Sequence, residues 1–299
     1  MAENENLPSE GEELVRFLAE LARDQTVSEI SGWHSGFRNL DRALDGFLPG
    51  VYLYVGRPAS GRTSFARQLL DEVVQRNRIP GVFFSFSDAA KELRLKALSR
   101  LTGIETRELR RGSGYLLHWY GMPKRVDALE DLPPSWEKVQ SVVEAARPWL
   151  DLVHLVECGR NTSLAALEDK LRRIIKRHVR SGAIVVIDDS HRLALSGDFP
   201  DRRLTHIVDE MKELARNANA AVLAVWPDLS GSGAMDPRAW VDQAPGADVV
   251  IVAERDRGRQ PLDPNQEAVV LNIVKNRGGE KGKLAFDFSP AMSRFEEVT

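Results

Sequence analysis

A single cysteine in 299 residues, Cys158, rules out a disulfide within the chain and fits a reducing compartment. No apolar run approaches the roughly 18–20 residues that a membrane-spanning helix needs. The chain opens Met1-Ala2-Glu3-Asn4-Glu5-Asn6, acidic and polar where a secretory signal would be cationic and then apolar. A cytoplasmic protein with no membrane contact is expected. Neither charge dominates: 41 Lys and Arg against 44 Asp and Glu leave −3, so any contact with nucleic acid must come from local patches. There is no internal repeat and no low-complexity tract. No ligand spacing joins His191 or His206 to Cys158 in a metal site, and both read as structural histidines. Neither a Ser-His-Asp order nor the paired carboxylates of a hydrolase stand out.

What the chain does contain is Gly56-Arg57-Pro58-Ala59-Ser60-Gly61-Arg62-Thr63, which meets every fixed position of the phosphate-binding pattern G-x-x-x-x-G-K-S/T except the lysine. The apolar run Val51–Val55 precedes it, and Phe65, Leu69, Leu70 and Val73 follow at helical spacing. Strand, loop and helix therefore come in the order that phosphate binding requires. Successive backbone N–H groups curl around the anion while the helix points its positive dipole end at the same place. Gly56 and Gly61 permit the curl, Thr63 supplies a hydroxyl to Mg²⁺, and Arg57, Ser60, Arg62 and Ser64 complete the candidate nucleotide contacts. Arginine is a planar fork and no equivalent of the compact lysine ammonium, so binding can survive where catalysis does not.

Strands are expected near 51–55, 82–86, 152–156, 183–187, 221–226, 248–253, 268–275 and 283–288, and helices near 63–77, 88–101, 135–146, 163–180 and 202–218. The pattern predicts an α/β fold, a mostly parallel sheet flanked by crossover helices and closed by antiparallel strands. Residues 1–30 read as a polar tail plus an amphipathic helix carrying Leu14, Phe17, Leu18 and Leu21; residues 31–299 read as one domain. An irregular insertion about 112–134 breaks that domain; its Trp119 and Tyr120 read as loop packing, with base stacking the alternative. The run Ala183–Ile187 ends in Asp188-Asp189, which puts a carboxylate beside the Mg²⁺ of a loop-bound nucleotide. Asp188 is the natural metal partner. If strand geometry persists, Asp189 points to the opposite face.

Taken in order, Gly36 to Gly50, the loop at 56–63, Phe84-Ser85-Phe86, Ile187-Asp188, Lys275-Asn276-Arg277, Leu284-Ala285-Phe286 and Arg294-Phe295 resemble the RecA-type ATPase domain of DnaB-family replicative DNA helicases. The likeness covers most of 31–299. RadA-type and circadian-clock RecA-like ATPases share the opening but match the later elements less well. The resemblance implies a RecA-like P-loop NTPase that binds ATP (or another NTP) with Mg²⁺ and forms a hexameric ring around single-stranded DNA, with nucleotide between subunits.

Carried over by position, the family's P-loop lysine falls on Arg62 and its catalytic glutamate on Ser87, with Asp88 next. Two family glutamines fall on His191 and on or near Pro227. Asp188 keeps the metal aspartate, and Lys275 and Arg277 match the pair that reaches in trans to the neighbour's γ-phosphate. A serine cannot act as the base, so slow or absent turnover is expected unless Asp189 or Asp88 orients the water and Arg62 reaches the phosphates. An inactive platform built on the same fold is the competing class, and a small-molecule kinase a third. The short span before the domain implies a standalone motor or an accessory subunit. For DNA contact the resemblance points to loops around 195–203 and 229–244, where Arg202, Arg203 and Arg238 are mixed with Asp198, Asp201, Asp228, Asp236 and Asp242. Lys170, Arg172, Arg173, Lys176, Arg177 and Arg180, like Arg107, Arg110 and Arg111, read as solvated helix faces.

Overall fold

Val51 to Val55 alternate between two apolar environments, which places their strand, β1 (Gly50–Gly56), inside the sheet with both faces covered. The computed structural model describes residues 9–23, 30–110, 136–178, 182–195, 197, 202–229, 236–261 and 263–298. The insertion about 112–134, with Trp119 and Tyr120, lies outside them.

Among the described residues the sheet has nine strands, in the order β3-β2-β4-β5-β1-β6-β7-β8-β9. These are β2 (Gly81–Ser85), β3 (Val153–Glu157), β4 (Ala183–Asp188), β5 (Ala220–Pro227), β6 (Val249–Arg255), β7 (Glu267–Asn276), β8 (Gly282–Ser289) and β9 (Arg294–Glu297). β1 to β6 run parallel, and β6 to β9 pair antiparallel. The expected mostly parallel sheet with antiparallel C-terminal strands is what forms.

Outside the sheet, α1 (Glu10–Arg23) and α2 (Arg38–Leu44) precede β1. On one face of the sheet, α3 (Arg62–Asn77) lays Phe65, Leu69, Leu70 and Val73 over Tyr52 and Tyr54, with α2, α4 (Ala90–Thr102) and α5 (Glu137–Leu150) around it. On the other, α6 (Leu164–His178) and α7 (Arg203–Asn217) cover Val51, Leu53 and Val55 with Leu167, Leu171, Ile207 and Met211. A short α8 (Ala239–Gln243) precedes β6. β1 connects through α3 to β2, skipping β5 and β4, while β6 lies on its other side. The crevice at its C-terminal end is therefore a topological switch point, where open α/β sheets bind ligands.

Long-range contacts extend the elements beyond what periodicity indicates. α2 lacks a side-chain N-cap of its own; Glu297 supplies one, accepting from the backbone N–H groups of Asn39 at 2.8 Å and Leu40 at 3.1 Å. Gln68 of α3 clasps the main chain of Phe295 in β9, donating to its carbonyl and accepting from its N–H. α5 runs past the expected end at 146 to Leu150, with Pro148 in its last turn, because Ala146 and Trp149 are buried in the cluster beneath α3 and α4.

β3 is an edge strand fastened to α6 by a contact of 2.8 Å between the Nε2 atoms of His154 and His178. One ring must donate and the other accept, so the contact needs a neutral partner. Burial, with the neighbouring Arg177 charge, holds both imidazoles below the ordinary histidine range. A histidine depressed in the folded state stabilises fully above its unfolded pKa and loses that contribution as pH falls through it. Acidification from pH 7.5 to 5.5 is therefore expected to lower stability in wild type and less so in His154→Phe, read by thermal unfolding at each pH.

Candidate functional site

Gly56 closes β1, Arg57 to Ser60 turn, and α3 begins at Arg62, with Ala59 (φ 62°) and Gly61 (φ 80°) left-handed. A Cβ on Gly61 would stand 2.9 Å from the rings of both Phe288 and Phe295, so the loop is pressed against the C-terminal strands. Phe288 and Phe295 stack at 4.3 Å, and Phe65 packs edge-on to Phe295 at 5.3 Å. Two left-handed residues ahead of a 16-residue helix aim main-chain N–H groups and a positive helix end into one cradle.

Thr63 Oγ1 donates to Asp188 Oδ2 at 2.9 Å, joining the loop to the end of β4. Asp188 is buried, and its Oδ1 has no hydrogen-bond partner among the described residues. Burial pushes its carboxyl up to about 6, against the Thr63 hydrogen bond and the Arg62 charge and with the help of Asp189 and Asp88. An orphaned carboxylate oxygen beside a hydroxyl, at the mouth of an N–H cradle, suits a hard divalent cation with a polyphosphate.

Asp189 departs from its expected position. The strand ends at Asp188; Asp189 is left-handed (φ 54°), and this turns its carboxylate toward the loop instead of the opposite face. There it stands 3.8 Å from Arg62 Nη1 and 4.0 Å from Arg192 Nε. The arginine stem folds back over Gly56, where a Cβ would meet its Cγ at 3.1 Å and its Cδ at 3.2 Å. The guanidinium that replaces lysine is thus turned toward a carboxylate.

Ser87 is exposed in the turn after β2. Asp88 is held by Lys96 at 2.5 Å and by the Ser85 hydroxyl through its main chain. His191 packs edge-on to Trp226, its Nδ1 unpaired among the described residues. Pro227 lies opposite Gly56 in the sheet. Beside the loop, a cavity of about 400 Å³ is lined by Gly56, Arg57, Pro58, Ser60, Asp228, Val252, Ala253, Glu254, Arg255 and Arg257.

Lys275 and Arg277 are not brought to this site. Across β6, Lys275 lies level with Leu53 in mid-strand, and Arg277, bonded to the Asp248 carbonyl, lies near Val51 at the start of β1; at roughly 3.3 Å per residue these levels stand roughly 10 and 17 Å before Gly56 along the strand. Lys275 Nζ donates to the Pro245 carbonyl at 2.8 Å; burial, helped by the Arg277 charge, draws its ammonium below the ordinary lysine range. Arg277 Nη1 stands 3.3 Å from Asp248 Oδ1, with most of its side chain exposed. A register shift between Val250 and Ile251 sets the strand's last residues off from the preceding ladder. Asp248 also takes the N–H of Val51 at 3.0 Å and Lys212 Nζ at 2.7 Å. Sequence reading missed Asp248 and Lys212; the available signal was an acid directly before the apolar run Val249–Val252.

The basic helix face on α6 is exposed and carries i,i+4 pairs, Arg172 with Glu168 and Arg173 with Asp169. Arg203 holds the carbonyls of His191 and Leu193, and Arg238 is exposed. Asp198, Asp201, Arg111 and Arg180 lie outside the described residues.

A glycine loop between β1 and α3, an acid ending β4 and this strand order define a RecA-like P-loop domain. A solved ATPase domain superposes with TM-score 0.76 at 20% identity, covering 97% of this chain and 99% of its own. The chain belongs to the family described as the DnaB-like helicase C terminal domain, which matches residues 32–297. Relatives include the replicative DNA helicase DnaB of Haemophilus influenzae, 22% identical over 93% of this chain and 58% of the relative. That of Helicobacter pylori is 26% identical over 90% of this chain and 60% of the relative. The chain therefore spans about three-fifths of the length of these curated relatives. A solved DnaB-like replicative helicase, described with its primase interactions, gives TM-score 0.78 at 20% identity over 97% of this chain and 69% of its own. Among the described residues no helix is long and apolar enough to cross a membrane.

Proposed function

We propose that the chain is a Mg²⁺–nucleotide-binding DnaB-like domain that works in the cytoplasm in DNA replication or another DNA transaction, as one subunit of a ring-type oligomer with slow or absent hydrolysis. The ATPase domain spans 31–299, with the amphipathic helix of residues 1–30 as its linker. The reading rests on the split of functional residues between the two ends of β1. Thr63 and Asp188 form one half-site at its C-terminal end, and Lys275 and Arg277, whose side chains are engaged by Pro245 and Asp248 toward its N-terminal end, form the other. Two half-sites at opposite ends of one chain fit a head-to-tail arrangement in which each subunit completes its neighbour's site.

In this reading the main chain of Gly56 to Ser64 holds the phosphates, Thr63 and Asp188 hold Mg²⁺, and Lys275 and Arg277 meet the neighbour's γ-phosphate. Bound Mg²⁺ would neutralise phosphate charge and orient the terminal phosphate. Single-stranded DNA is the polymer that the ring would enclose. A second reading, an inactive platform, is favoured by Ser87 and by the engagement of Asp88 with Lys96.

Sedimentation velocity with Mg²⁺ and ATPγS tests the half-site division. Thr63→Ala and Arg277→Ala are each expected to abolish nucleotide-dependent association, and their mixture to restore it only as far as dimers. Wild-type protein that stays monomeric with saturating nucleotide would sink the ring. DNA-stimulated phosphate release by wild type would sink the platform.

A further inference from the structure

We infer that Asp248 is a positioning residue for Arg277, holding the trans-acting guanidinium in a fixed direction and tying it to the strand that carries the chain's own phosphate loop. This rests on the trans role proposed above for Arg277. The main chain of Arg277 donates to the Asp248 carbonyl at 3.0 Å while its Nη1 lies 3.3 Å from the carboxylate, so the residue is gripped at both ends. One guanidinium nitrogen facing Asp248 leaves the remaining N–H donors of the fork for a phosphate. The exposure of the side chain leaves them accessible to a second subunit.

The same carboxylate is fixed to β1. Asp248 Oδ2 accepts from the Val51 N–H at 3.0 Å, the Asp248 N–H donates to the Val51 carbonyl at 2.8 Å, and a Cβ on Gly50 would come within 2.8 Å of Oδ2. β1 runs from there to Gly56 without a register break against β5 or β6. A shift of the loop on nucleotide binding can thus reach Arg277 through one rigid strand and one carboxylate. Lys212 of α7, held by its bond to the Gly246 carbonyl, shares Oδ1 at 2.7 Å and so competes with Arg277 for that oxygen.

The test compares Asp248→Asn, Lys212→Met, Arg277→Ala and the Asp248→Asn/Arg277→Ala double variant in the full chain. Two quantities are read with Mg²⁺ and ATPγS: nucleotide affinity in dilute protein, and association by sedimentation velocity. Asp248→Asn is expected to leave affinity within about twofold and to weaken association about fivefold, as for a half-exposed ion pair. The double variant should be no worse than Arg277→Ala. Lys212→Met, which frees the carboxylate for Arg277, should leave association unchanged or stronger, a result that a purely structural Asp248 would not give. If Asp248→Asn does not fold, Gly50→Ala, which displaces the carboxylate without removing it, should weaken association in the same way. Unchanged association in Asp248→Asn alongside a loss in Arg277→Ala overturns the positioning role alone. Unchanged association in Arg277→Ala overturns it together with the trans reading.

Discussion

Arg62→Lys and Ser87→Glu, introduced together, are expected to raise MgATP turnover by about a hundredfold or more, while either change alone raises it little. A correctly placed general base contributes about 10²–10⁴ in rate, and groups that act as one catalytic unit do not add. Ser87 leaves the C-terminal end of β2 two residues beyond Ser85, which pairs with Asp188. It is exposed, so a glutamate there displaces no packed atoms. The neighbouring carboxylates are poor substitutes. Asp88 is committed to Lys96, and Asp189 faces Arg62 and Arg192. Lysine at 62 restores a compact ammonium on a stem that already lies over Gly56. Steady-state phosphate release, with and without single-stranded DNA, reads the result. An inert double variant would mean that position 87 does not face the water, and the match between this chain and the family's base would fail.

The order of strands and helices was legible because each carries its own periodicity: Val51–Val55 and Ala183–Ile187 are buried on both faces and read as continuous apolar runs. The loop and the strand-end acid that Thr63 bonds to were legible for the same reason, since a glycine pattern and an acid at a strand end are local signals. What escaped depends on residues far apart in the chain. α2 and β9 are short, and each is secured by the other's end of the sequence, Glu297 capping the helix across 258 positions. The direction of Asp189 was misread because alternation was extended one residue too far. Its left-handed backbone breaks the period, and nothing in the letters Asp-Asp announces it. The register shift before Lys275 is a property of the β6–β7 pairing and is visible only once the partner strand is in place. Asp248 acquires meaning only when Val51, Lys212 and Arg277 converge on it.

Asp188→Asn is expected to separate stability from function in opposite directions. The carboxyl is raised from 3.8 to about 6 chiefly by burial, so between those values the folded protein binds a proton that the unfolded chain has released. Stability then falls as pH rises through that window, and above it the full penalty is present. At about 1.4 kcal/mol per unit, this amounts to roughly 3 kcal/mol at pH 8 in the absence of metal. Asparagine carries no charge and still presents an oxygen to the Thr63 hydroxyl, which keeps the 2.9 Å link between loop and strand. In EDTA and without nucleotide, the variant should be the more stable protein at pH 8, by roughly 2–3 kcal/mol in urea unfolding, with the gain vanishing by about pH 4. Binding should move the other way. With the charge gone from the proposed metal position, Mg²⁺-dependent affinity for ATPγS should drop about a hundredfold by calorimetry, while the residual metal-independent affinity of the main-chain cradle remains. A variant that is less stable at pH 8 would show that Arg62 and Thr63 over-compensate the buried charge. One that keeps its magnesium dependence would remove Asp188 from the metal site.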